Sequence, residues 1–75
     1  MNNNGSIKKE LTFTINHLDT LNKRLKNTEG MIRSCFDGGR VDSETIERLR
    51  DKESSLEFEI KKTKQEISNL INKIN

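Results

Sequence analysis

Residues 35–44 read CFDGGRVDSE, close to the midpoint of a 75-residue chain, and they hold its only adjacent glycines. Upstream, Ile7, Leu11, Thr14, Leu18, Leu21, Leu25, Thr28, Ile32 and Cys35 follow one another in alternating steps of four and three without a slip. Downstream, Ile46, Leu49, Glu53, Leu56, Ile60, Thr63, Ile67, Leu70 and Ile74 alternate three and four in the same way. Such steps stay on one face of an α-helix, the a and d positions of a heptad. The quoted stretch therefore separates two long helices.

Its own residues mark the junction. Gly38 or Gly39 can take the left-handed conformation that ends a helix. Asp42 is placed to cap the next helix, with Val41 and Ile46 spaced for a hydrophobic staple. Glu44 and Glu47 put negative charge in the first turns, where the helix dipole favours it. The expected architecture is all-α, an antiparallel two-helix hairpin with helices over about 6–36 and 43–74 joined by a Gly-Gly turn. The whole chain, 1–75, reads as one such domain, with the polar residues 1–5 frayed.

Folding back at the turn sets opposite one another positions whose numbers sum to 77 or 78. Leu21 then meets Leu56, Leu18 meets Ile60, and Thr14 meets Thr63. The threonine layer was not built into the assumption and supports the antiparallel pairing. Buried hydroxyls need an acceptor, either across the layer or at the carbonyl four residues back. Glu53 is the one charge on either track. It either leans out to pair with Arg24 or Arg50, or acts against a wrong register or oligomer.

Composition narrows the class. Apolar residues make up only 29% of the chain and charged ones 35%, so a thick core is excluded and long exposed helices are favoured. No apolar run approaches the length of a membrane span or a signal-peptide core. A single cysteine rules out an internal disulfide and makes a cytoplasmic location the expectation. With one histidine, His17, and Cys35 five turns away, no metal, cofactor or catalytic group is expected; the chain reads as no enzyme.

Two helices sharing one seam leave its sides wet, so a protein partner or a second copy is expected. Ile15 and Phe36 fall at e, Met31 at g, and Ile71 at e of the second helix. Phe13 at c and Phe58 at f lie on faces that a lone hairpin exposes. Single exposed aromatics are common, but two of three phenylalanines so placed point to contact. Phe13, Ile15, Phe58 and Ile71 are the candidate partner-binding residues. A net charge of +2 gives little reason to expect nucleic acid.

The second half carries a resemblance. DGGRVDSETIERLRDKESSLEFEI, residues 37–60, is similar to the small co-chaperones that keep type III secretion needle subunits soluble in bacteria. Gly38 and Gly39 match that family's turn, and Glu53, Ser54, Leu56 and Glu57 are similar to its Glu-Ser-x-x-Leu-Glu segment with one residue fewer between Ser54 and Leu56. HLDTLNKRL, residues 17–25, is comparable to a stretch of its first helix. This chain departs in being richer in Asn and Lys and in its longer second helix. The resemblance implies a cytoplasmic, non-enzymatic protein that binds and stabilises a helical-repeat chaperone, which in turn cradles the needle subunit. The alternative reading is a self-dimerising four-helix-bundle regulator, possible for RNA because residues 1–36 hold six Lys/Arg against three Asp/Glu. A helical-hairpin phosphatase is not indicated, since SSLEFE lacks the aspartate of that signature.

Overall fold

The computed structural model describes residues 4–38 and 42–74. Two helices account for them, α1 over Asn4–Asp37 and α2 over Ser43–Asn72. They pack side by side in a rod of 61 × 14 × 12 Å. The five residues between them can span at most about 18 Å, far short of the roughly 50 Å a parallel arrangement would have to retrace. The pair is therefore antiparallel, the helical hairpin that the heptad tracks require.

The agreement with those tracks extends to single residues. All nine positions of each track are buried or half-buried, and every other side chain for which burial is described is exposed. Leu21, Leu56 and Ile60 form the centre of the seam, with Leu18 and Leu25 packed against them, as a register summing to 77 or 78 requires. The seam is one residue thick because each helix offers it a single stripe.

The buried threonines resolve the choice of acceptor. Thr14, Thr28 and Thr63 donate to the carbonyls of Glu10, Arg24 and Glu59, four residues back, at 2.8, 2.9 and 2.7 Å. Each hydroxyl is satisfied within its own helix and leaves a small apolar face toward the neighbour. Glu53 is half-buried and pairs with neither Arg24 nor Arg50. The ion pairs formed among the described residues are exposed ones, Lys23–Asp19 and Arg48–Glu44, both at 3.1 Å and both i,i+4.

At the junction, Asp42 caps α2. Its backbone is extended and its Oδ1 accepts from the Glu44 N–H at 3.2 Å. Oδ2 accepts from the Thr45 hydroxyl at 2.7 Å. Gly38 N–H donates to the Ser34 carbonyl at 3.0 Å, continuing the last turn of α1, and its φ lies outside the left-handed region. The left-handed role thus does not fall to Gly38. Gly39 and Val41, the other turn glycine and half of the expected staple, lie outside the described residues.

The ends differ slightly from expectation. Helix α1 already includes Asn4 and Gly5, two residues of the segment read as frayed, because extending an established helix costs far less than starting one. Helix α2 stops at Asn72, two residues early. The N–H groups of Lys73 and Ile74 turn back to Leu70 and Ile71 at 3.1 Å, tightening the final turn.

Candidate interaction surface

Around a heptad helix, e lies beside a and g beside d, so an antiparallel pair sets e against e on one flank and g against g on the other. The grooves along the rod follow that rule. Glu10, Thr14, Glu66, Leu70 and Lys73, at g or d, line one groove together with Asn69 at c. Phe36, Ser43, Ile46 and Arg50, all at e or a, line another on the opposite flank.

Phe13 is 75% exposed and Phe58 69% exposed, the two most open large apolar side chains among the described residues. Both border the g flank. His17 joins them: with Phe58, Glu59, Lys62, Thr63 and Glu66 it lines a shallow groove across the two helices. With Phe13, Asn16 and Thr20 it lines the adjoining groove on α1. The lysines and glutamates around Phe58 supply a charged rim of both signs. An exposed ring in such a rim, with a second ring in the adjoining groove, suits an anchor for a partner's apolar side chains.

Ile15 and Ile71, 47% and 53% exposed, are not part of this group. Both are e positions and lie on the other flank. The four residues singled out from the sequence thus fall into two pairs on opposite sides of the rod. Their heptad letters contained that division. The set of four candidates joined residues that widen the seam, Ile15 and Ile71, with residues on outer faces, Phe13 and Phe58.

A further feature has no counterpart in the sequence reading. On α1 the central d residues Thr14, Leu21 and Thr28 are buried, with Ile7 and Cys35 toward its ends half-buried, whereas the a residues Leu11, Leu18, Leu25 and Ile32 are all only half-buried. Helix α1 is therefore covered more closely along d than along a, whereas on α2 Ile46 and Ile60 at a are buried and Leu49 at d is half-buried. The larger aliphatic side chains stand open toward the e flank, beside Ile15 and Phe36. Elongation has the same consequence overall. The radius of gyration is 17.2 Å, where a globular chain of this length has about 11 Å. The accessible surface is 6111 Å², where a globular monomer of 8.7 kDa has roughly 4,700 Å².

The Asp42 carboxylate serves structure as the cap of α2. The Thr45 hydroxyl holds the Asp42 carboxyl below its ordinary value, against slight desolvation and aided by the N–H groups of Thr45 and Glu44. Cys35 is a half-buried free thiol near the end of α1. Among the described residues no three of His, Cys, Asp and Glu are grouped so as to hold a metal ion. No buried side-chain nitrogen or oxygen among them lacks a hydrogen bond. No helix among them is long and apolar enough to cross a membrane.

Fold and surface together define the class: an antiparallel αα-hairpin with a satisfied, threonine-punctuated seam and apolar residues left outward on both flanks. No family model matches the chain, and neither a curated protein nor a solved structure does.

Proposed function

We propose that the chain is a non-enzymatic protein-interaction module whose partner docks on the g flank over Phe13 and Phe58. The observation that carries this reading is the exposure of those two rings on a common flank, with His17 lining the grooves beside both. An isolated hairpin gains nothing from keeping them in water, whereas aromatic anchors in a charged rim are what interfaces concentrate.

Within that class the narrower proposal is a cytoplasmic co-chaperone that stabilises a helical-repeat chaperone of a type III secretion needle subunit. Its support is the resemblance of residues 17–25 and 37–60 to that family, together with the hairpin architecture. Nothing in this role calls for a cofactor or nucleic acid.

The test is purification of the tagged full chain from its own cells, with the mass of the complex measured by light scattering. A stable complex with a helical-repeat protein and a small secreted helix supports the co-chaperone. Bound RNA, released as salt is raised, would replace it with the regulator. Phe13→Asp should weaken partner binding at least about tenfold with helix content unchanged. Binding that survives within about 1 kcal/mol would remove the g flank as the docking face.

A further inference from the structure

The opposite flank carries its own inference. Leu11, Leu18, Leu25 and Ile32 form a half-buried stripe along α1, widened by the exposed Ile15 and Phe36. Ile67, Ile71 and Ile74 extend it on α2 near the open end of the hairpin. We infer that this e flank is the interface with a second copy of the chain, the two rods packed antiparallel as a four-helix bundle.

Area and charge both select that occupant. The 61 × 14 Å extents give a footprint of roughly 850 Å², close to the ~800 Å² each partner contributes to a standard interface. Glu53, half-buried at an a position, forms no ion pair among the described residues. A two-fold axis through the middle of the rod sets level those α2 residues whose numbers sum to about 115. Glu53 then falls between Lys61 and Lys64 of the second copy. Within one chain Glu53 and Lys64 are eleven residues apart on the same helix, about 16 Å, and cannot meet. The same axis runs the α1 stripe against itself, so that Ile15 falls beside Leu25.

The direction follows from the distribution of charge. At the open end the e positions carry Lys8 and Lys64. On the turn half Glu29 and Glu53 outnumber Arg50. Charges further back, at b, soften this contrast without reversing it. Parallel packing would stack the lysines of two copies, whereas antiparallel packing sets them against acids. Two contacts oppose it: Glu57 lies near the axis, facing its own copy, and Arg50 comes near Lys64.

The inference goes beyond the g-flank reading and is independent of it. Sedimentation equilibrium on the full chain should show a monomer–dimer equilibrium in the micromolar range. Glu53→Lys should weaken the dimer about tenfold, and adding Lys64→Glu should restore it, since the carboxylate introduced at position 64 then meets both the new ammonium at position 53 and Arg50 of the other copy. Orientation is read from spin labels on exposed Ser34→Cys in a Cys35→Ala background, clear of the e flank. Antiparallel copies hold the labels about 40 Å apart; parallel copies bring them within about 20 Å. A monomer at about 200 µM, an unrestored double variant, or the short distance would each overturn the inference. Circular dichroism checks that every variant remains helical, and Phe13→Asp should leave the dimer constant unchanged.

Discussion

Replacing Leu21 by alanine tests the asymmetry of the seam when set beside the same change at Leu18. Leu21 is 2% exposed and packs with Leu56 and Ile60 on the facing helix. Both helices are continuous and cannot collapse locally into the space left, so the cost should be about 3 kcal/mol, within the usual span for buried leucines. Leu18 is half-buried on the a side and should lose about half as much. For a chain of this size, 3 kcal/mol lowers Tm by roughly 12–24 °C. The assay is thermal unfolding by circular dichroism at about 5 µM and about 200 µM chain. If the e flank is covered by a second copy, the Leu18→Ala deficit grows with concentration, while the Leu21→Ala deficit between monomers is already complete when dilute. Equal losses at Leu18 and Leu21 in dilute solution would refute the claim that α1 is covered more closely along d than along a. A Leu21→Ala cost below about 1 kcal/mol would refute the placement of the core itself.

The cap predicts a pH dependence. The folded Asp42 carboxyl lies below its unfolded value, so its stabilisation is complete above about pH 4 and fades as pH falls through the lowered folded value. Asp42→Asn should keep much of the cap and lose that dependence, and Asp42→Ala should be less stable at pH 7 but converge with the native chain in acid; parallel acid titrations of Tm decide it. Thr63→Val should stay within about 1 kcal/mol of the native chain, because the hydroxyl it removes serves only the Glu59 carbonyl of its own helix. A larger loss by chemical denaturation would mean that the hydroxyl bonds across the seam. Phe58→Asp should behave as Phe13→Asp does, with binding lost and the far-ultraviolet spectrum retained; opposite effects of the two changes on affinity would separate the rings into different sites.

The heptad steps by themselves determined the two helices, the turn between them, the antiparallel register and the set of residues that leave water. The physical reason is local. A helix fixes the angle between successive side chains, so apolar residues at steps of three and four must share a face, and a five-residue connection permits one direction of return. Asp42 was legible as a cap for the same reason, since its partners Glu44 and Thr45 lie within three residues. What only the tertiary structure decided is how closely the two stripes meet. Periodicity says that a and d both face the neighbouring helix, but the rotation of each helix about its own axis sets how much of each is covered. That rotation buries Thr14, Leu21 and Thr28 and leaves Leu11, Leu18, Leu25 and Ile32 partly open. It also settles that each core threonine bonds within its own helix, and that Glu53 stays half-buried with no ion pair among the described residues. These outcomes depend on the fit of side chains from both helices at once, which no single helix's spacing contains.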